Sequence, residues 1–212
     1  MICGVDEAGK GSVLGPLVVA AVAVPTESAL DDLGVKDSKL LSGKERERLY
    51  LLIWKRCRVV TVRLDAREID EVRTGMTLNS AVARAHARAI SRLSPSRAYV
   101  DACDVNCFRY AEMVKNNLDL ACEIVSEHHA DEKFPVVSAA SIVAKVTRDR
   151  AIAILSKKYG EIGSGYPSDP VTIRFLTAWI DEHKTPPPIA RKSWKTVSAI
   201  LAEKSQSRLA DF

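Results

Sequence analysis

The sequence predicts an α/β fold: a mixed β-sheet flanked by helices, followed by a helical C-terminal region. Three observations predict it. Short β-branched apolar runs alternate with segments of helical period along the 212 residues. The first two apolar runs, 1–6 and 17–24, stand close enough to pair antiparallel, which makes the sheet mixed. Past residue 135 the patterns are helical, which places helices at the C-terminal end of the fold.

Each element has a local reason. Residues 1–6 form an apolar strand that ends in Asp6-Glu7, and Gly9-Lys10-Gly11 makes a tight turn. Gly15-Pro16 opens and Pro25 closes the strand at 17–24. Ser42 starts a helix, with Glu45 at capping-box spacing and Leu49, Leu52 and Ile53 on one face. Strand 57–64 follows, then an alanine- and arginine-rich helix at 77–92 that stops before Ser94-Pro95. Arg97-Ala98-Tyr99-Val100-Asp101 reads as a short strand delivering an aspartate at its end. A helix at 107–118 and a strand at 121–126 come next. Helix 136–158 carries Ala139, Ala140, Ser141 and Ala144 on a face suited to close packing. Helix 171–183 ends before Pro186-Pro187-Pro188, and a last helix at 195–204 precedes a polar tail. The expected organisation is a main domain at 1–184, a helical region at 185–205 packed on or near it, and a flexible tail at 206–212.

Composition limits the function. A hydrophobic fraction of 47% with 27% charged residues is ordinary for a soluble globular protein. The net charge of +4 is compatible with a nucleic-acid partner, and clustering of the acids at one site would leave the remaining surface more basic. The five cysteines are an odd number without C-x-x-C spacing, and no histidine stands at zinc-finger distance from Cys103 and Cys107. Cys3, Cys57 and Cys122 lie in or beside apolar runs and read as buried, reduced thiols. Asp6 and Glu7 interrupt the N-terminal apolar run, so no signal peptide is expected, and no apolar stretch is long enough to span a membrane. The expected setting is the cytoplasm and the expected state a monomer.

The N-terminal segment has two readings. Gly4 through Lys10 fits G-x-x-x-x-G-K, most of a phosphate-binding P-loop. Three features oppose that reading: Gly11 replaces the metal-binding hydroxyl, Asp6 and Glu7 lie inside the cradle, and a strand pattern rather than a helix follows. The other reading is strand, carboxylate pair, tight turn, second strand. Acidic groups hold hard divalent cations and a glycine-rich turn offers backbone N–H groups to an anion, so such a segment suits a metal together with a phosphate.

Two further acids stand out. Asp101 ends an apolar strand, where open α/β sheets place ligands, although an isolated aspartate there reads equally as a turn former. Asp131 sits just before the long helix, where the helix dipole alone would favour it. The string Gly4-Val5-Asp6-Glu7-Ala8-Gly9-Lys10-Gly11 resembles the N-terminal signature of the type 2 ribonucleases H, the ribonuclease HII family. Asp37-Ser38-Lys39, Ala130-Asp131-Glu132-Lys133, Ser138-Ala139-Ala140-Ser141-Ile142-Val143-Ala144-Lys145 and Gly163-Ser164-Gly165-Tyr166-Pro167-Ser168-Asp169-Pro170 resemble later landmarks of that family. They occur in the family's order.

The resemblance implies a ribonuclease H-like fold and a metal-dependent endoribonuclease. It would hydrolyse the RNA strand of RNA/DNA hybrids and cut 5′ of single ribonucleotides in duplex DNA, leaving 3′-hydroxyl and 5′-phosphate ends. It further implies that Asp6, Glu7, Asp101 and Asp131 are the catalytic, metal-binding acids, served by two Mg²⁺ or Mn²⁺ ions. Four clustered carboxylates repel one another unless cations neutralise them, which agrees with that role. By the same resemblance Gly9, Lys10 and Gly11 read the ribose hydroxyl, and Tyr166 packs against the next sugar. As a bare residue, Tyr166 also reads as a loop anchor. Lys145 and Lys39 would contact phosphate or the acids, with solvated lysines as the alternative reading. His128 and His129 read as surface imidazoles.

The C-terminal tail carries Gln206, Leu209 and Phe212 at the spacing of a sliding-clamp-binding box, with one terminal aromatic in place of two. A disordered tail is the alternative. Arg191-Lys192-Ser193-Trp194-Lys195 combines cations with an aromatic, which suggests duplex contact by the cations and packing by Trp194. The remaining alternatives to the nuclease reading are a P-loop-like NTPase and a hybrid-binding module without turnover.

Overall fold

The computed structural model describes residues 1–35 and 41–210, with side chains described to Lys204. Strands β1 (Ile2–Ala8), β2 (Leu17–Val24), β3 (Arg58–Leu64), β4 (Arg97–Asp101) and β5 (Glu123–Glu127) form one sheet in the order β3-β2-β1-β4-β5. β1 and β2 pair antiparallel with Ile2 opposite Val24 and Ala8 opposite Val18. β4 joins β1 in parallel, Val5 level with Val100, and β5 joins β4 in parallel. The mixed sheet expected from the short β1–β2 connection is therefore present. So is a strand, rather than a helix, after the glycine turn, which removes the P-loop reading.

The helices are α1 (Gly43–Arg56), α2 (Ala66–Val72), α3 (Leu78–Leu93), α4 (Cys107–Lys115), α5 (Ala130–Lys133), α6 (Pro135–Tyr159), α7 (Pro170–His183) and α8 (Lys195–Ala210), with a 3₁₀ helix at Glu27–Leu33. Ser42 and Glu45 form the expected capping box of α1. Four local differences from the sequence reading stand out. Asp65 and Glu68 form a second capping box that starts the unexpected α2. The 3₁₀ helix was likewise not expected. Asp131 lies inside a short helix of its own, α5, and not in a lead-in to α6. Finally, α8 runs to Ala210 instead of stopping near 204, so the backbone of 206–210 is helical.

The chain divides into two compact units. The first comprises Met1–Ala8, Val18–Arg63 and Thr77–Thr147; the second comprises Gly9–Leu17, Leu64–Met76 and Arg148–Phe212. Segments 148–184 and 185–204 thus fall in the same unit.

In the first unit, β2, β4, α1 and α6 share a core that includes Ala20, Val22, Val24, Tyr99, Leu49, Ile53, Ala140 and Val143. Each fully buried large aliphatic side chain there contributes about 1.5–3 kcal/mol. The small-residue face of α6 works as expected, with Ala139, Ala140, Ser141 and Ala144 wholly buried. Gly4 lets that helix approach: a Cβ at this position would stand 2.2 Å from the carbonyl carbon and oxygen of Val136. α3 packs on β1 and α4, and α4 packs on β5.

In the second unit, Val13, Leu14, Ile152, Ile162, Leu176, Ile180 and Val197 form a separate core. Asp169 caps α7 by accepting the Val171 N–H at 2.9 Å, with Pro170 in the first turn. The five cysteines are free thiols: Cys3 is buried, while Cys57 and Cys122 are half-buried. Among the described residues no helix is long and apolar enough to cross a membrane.

Candidate active site

The alternation of side chains along a strand decides where each N-terminal acid points. Gly4 faces the backbone of α6, so Asp6, two residues on, faces the same way. Ser141 of α6 hydrogen-bonds Asp6, and Lys145 acts on it electrostatically. Lys145 Nζ in turn donates to Ser141 Oγ at 2.5 Å. Glu7 faces the opposite side, toward α3, where its Oε2 lies 3.1 Å from His86 Nε2. Glu7 Oε2 and His86 Nε2 are both shielded from solvent, and neither makes a hydrogen bond of good angular geometry. His86 Nδ1 is 3.2 Å from the Tyr110 hydroxyl, and both side chains are fully buried.

The parallel β1–β4 register ends with Val5 level with Val100, and one step further brings Asp6 level with Asp101. Asp101 accepts the Ala130 N–H at 2.8 Å, which ties the end of β4 to the start of α5. Asp131 is the next residue and is buried.

Burial raises the Asp6 pKa well above the usual carboxylate range, and the charges of Glu7 and Asp101 raise it further; Ser141 and Lys145 act in the other direction. Burial also raises the Asp101 pKa, partly offset by the Ala130 N–H, while Asp131 and Glu7 add to the rise. Asp6 thus feels Glu7 and Asp101, and Asp101 feels Asp131 and Glu7. This donor set consists of oxygen alone, the type that suits hard divalent cations. Asp131 also brings a ligand oxygen within 4.8 Å of ligand atoms of His129 and Glu132, both exposed.

Within the second unit, the turn after β1 is held from beneath by Arg191, which is fully buried. Its guanidinium donates to the carbonyls of Gly9 (2.7 Å), Lys10 (2.9 Å) and Gly15 (3.1 Å). Gly9 has φ +84°, and a Cβ there would meet Arg148 Nε at 2.4 Å. Arg148 stacks over the Tyr166 ring, 4.5 Å from its centroid, and donates to the Ser164 carbonyl at 2.9 Å. The Val13 and Leu14 N–H groups both bond the Gly165 carbonyl. The Gly9–Gly11 turn and the Tyr166 loop are thus knit together through Arg148 and backbone bonds.

The family model for ribonuclease HII matches residues 3–197. This chain belongs to the ribonuclease HII family. It is similar to the ribonuclease HII of Methanoregula boonei, with 68% identity over the whole of both chains, and to that of Methanospirillum hungatei, with 57% identity over the whole of both. Among solved structures it resembles the ribonuclease H2 of Pyrococcus horikoshii (39% identity, TM-score 0.89, covering 97% of this chain and 99% of that one). It also resembles a chain of the PCNA:RNase HII complex of Archaeoglobus fulgidus (46% identity, TM-score 0.86, 92% and 95% covered). Family membership makes the chain a ribonuclease H, a hydrolase that acts on phosphodiester bonds of RNA. The ribonuclease H-like fold expected from the resemblance is present.

Of the residues singled out in the sequence, Asp6, Glu7, Asp101, Asp131 and Lys145 belong to the first unit, where Asp6 feels Glu7, Asp101 and Lys145, and Asp101 feels Glu7 and Asp131. Gly9, Lys10, Gly11 and Tyr166 belong to the second unit. Lys39 and Phe212 lie outside the described residues, as do the side chains of Gln206 and Leu209. One expectation is corrected: Arg191 is no surface cation for a duplex, since it is buried and spends its donors on three carbonyls. Trp194 does pack, with Arg191 and Arg73 over its ring. Sequence reasoning missed His86, Tyr110 and Arg148. His86 left a signal: it is the one polar side chain among the buried positions of α3, between Ala83 and Ile90.

Proposed function

We propose that this chain is a metal-dependent endonuclease that hydrolyses the RNA strand of RNA/DNA hybrids and cuts on the 5′ side of single ribonucleotides in duplex DNA. Its products carry 3′-hydroxyl and 5′-phosphate ends, which suits ribonucleotide removal and RNA primer removal. The observation that supports this reading is the chain of neighbouring acids Asp6, Glu7, Asp101 and Asp131, in which burial first, and then the adjacent carboxylates, raise the pKa values of Asp6 and Asp101.

Asp6 and Asp101 would hold Mg²⁺ or Mn²⁺ directly, and Glu7 and Asp131 would complete or tune a site for two ions. When bound, the ions supply Lewis-acid stabilisation of phosphate charge and a water of lowered pKa. Ser141 and Lys145 hold Asp6 and temper the local negative charge. His86 orients Glu7. Arg191 and Arg148 fix the path of the Gly9-Lys10-Gly11 turn, whose backbone reads the ribose 2′-hydroxyl that distinguishes RNA from DNA. Tyr166, braced on one face by Arg148, packs against the neighbouring sugar. Lys10, Lys39 and Lys145 contact substrate phosphate or the acids. Bst-RNase HIII, which shares the fold (22% identity, TM-score 0.81), has been solved in complex with Mn²⁺. The clamp-bound relative from Archaeoglobus fulgidus supports a sliding clamp as partner through Gln206, Leu209 and Phe212. The enzyme acts as a cytoplasmic monomer.

The test uses labelled duplex DNA containing one ribonucleotide, with Mg²⁺ or Mn²⁺ and without ATP. Cleavage on the 5′ side of the ribonucleotide is expected, reduced on the order of 10³-fold or more in Asp6→Asn and Asp101→Asn. Binding without cleavage under both metals overturns the reading. Removal of residues 206–212 is expected to abolish clamp pulldown and spare cleavage of short substrates.

A further inference from the structure

In the first unit, α3 and the end of α4 enclose a groove of about 580 Å³ whose lining includes Arg84, Arg88, Arg92, Asn116, Asn117 and Asp119. The arginines repeat every four residues, so they share one helix face at steps of about 6 Å. All three are exposed, while Ala83, Ala87 and Ile90 on the other side of α3 are buried. Among the described residues none of the three guanidinium groups is paired with a carboxylate. Other surface arginines are: Arg56 with Asp32, Arg67 with Glu71, Arg97 with Glu123 and Arg109 with Asp104. Like charges at this spacing cost helix stability. Asp119 is the single acid of the lining, against three cations.

The groove lies on the exposed face of α3, whereas the buried His86, two residues from Arg84, turns to Glu7. α3 ends at Leu93, shortly before β4 starts at Arg97, whereas Asp101 stands at the far end of β4. Asn116, Asn117 and Asp119 likewise precede the start of β5 at Glu123. Planar guanidinium groups bind phosphate oxygens through paired N–H donors, and a row of them suits successive phosphates along one strand. The lining offers no aromatic ring on which a base could stack.

We propose that this groove binds the phosphodiester backbone of a nucleic-acid duplex as an exosite, in a sequence-independent manner. The identity of the polyanion rests on the nuclease reading above. The exosite anchors long duplexes and leaves the chemistry to the acids.

The test compares wild type with the Arg84→Ala/Arg88→Ala/Arg92→Ala variant on a duplex of about 40 base pairs, roughly 140 Å long at 3.4 Å per step, containing one ribonucleotide. At about 0.9 counterion per phosphate, loss of three contacts should lower the slope of log affinity against log salt by about 2.7. Affinity at low salt should fall on the order of 10–100-fold, and KM should rise while kcat is kept. A wild-type slope and affinity in the variant overturn the proposal. As a second measurement on the unaltered enzyme, phenylglyoxal should label Arg84, Arg88 and Arg92, and the long duplex should protect them; equal labelling with and without duplex also overturns it. Failure of wild type to cleave would count against the nuclease reading and leave the binding and labelling results to judge the groove.

Discussion

His86 Nε2 stands 3.1 Å from Glu7 Oε2, and the imidazole is completely buried between that carboxylate and the Tyr110 hydroxyl. The Tyr110 hydroxyl anchors the ring at Nδ1, and Nε2 is held close to the Glu7 carboxylate. Groups that orient metal-binding side chains typically contribute 10–100-fold to activity or metal affinity. His86→Ala is expected to lower kcat by about that factor and to raise the metal concentration needed for half-maximal rate. Tyr110→Phe, which keeps the ring, should cost less. Metal titrations of both variants check this; equal metal requirements in wild type and His86→Ala would remove the positioning role.

Gly4 is the contact point between β1 and the first turn of α6. Gly4→Ala places a methyl group 2.2 Å from backbone atoms of Val136, which must move. We expect a loss of about 2–3 kcal/mol of stability, together with weaker activity, because Ser141 and Lys145 ride on the same helix. Gly11→Ala is the control, since nothing lies within 4 Å of a Cβ there. Thermal melts should separate the two variants by several degrees, with Gly11→Ala close to wild type.

Arg191 satisfies the carbonyls of Gly9, Lys10 and Gly15 from a fully buried position. Arg191→Met would leave these acceptors without their donor and cost about 2–4 kcal/mol, or a fall in Tm of roughly 5–15 °C for a chain of this size. Arg191→Lys should not rescue it, because a single ammonium cannot reproduce the planar fork. Recovery of wild-type Tm by lysine would mean that charge alone matters there.

The Ser164 N–H, the Ser164 hydroxyl and the Val171 N–H hold the Asp169 carboxyl down from its ordinary 3.8 to about 2. A depressed carboxylate pKa favours the folded state above the ordinary value, and the contribution is lost as pH falls through about 2. Acid titration followed by the fluorescence of Trp179 or Trp194 should show this loss between those values. Asp169→Asn should be less stable at neutral pH and flatter across that window. An unchanged acid limb in the variant would count against this account.

Where the signal was local, the sequence was legible. Pro16 and Pro25 bound β2, Ser42 with Glu45 starts α1, and Asp169-Pro170 starts α7; each is decided by residues within a few positions of one another. The four acids stood out because short motifs of the family pattern carry them. The supporting residues did not. His86 reads as one more position in an alanine-rich helix until β1 brings Glu7 to it, and Arg191 reads as a surface cation until the chain returns to carbonyls 176 or more positions earlier.

The sequence by itself determined the five strands, the antiparallel start of the sheet and the longer helices, since spacing, β-branching and caps act over short range, while α2, α5 and the 3₁₀ helix escaped it. Only the tertiary structure decided that Asp6 turns to α6 and Glu7 to α3, which groups are buried against them, and that three arginines on α3 line a groove without a carboxylate partner among the described residues. Those outcomes depend on strand register and on which helix covers which face, and such pairings between distant segments are set by packing.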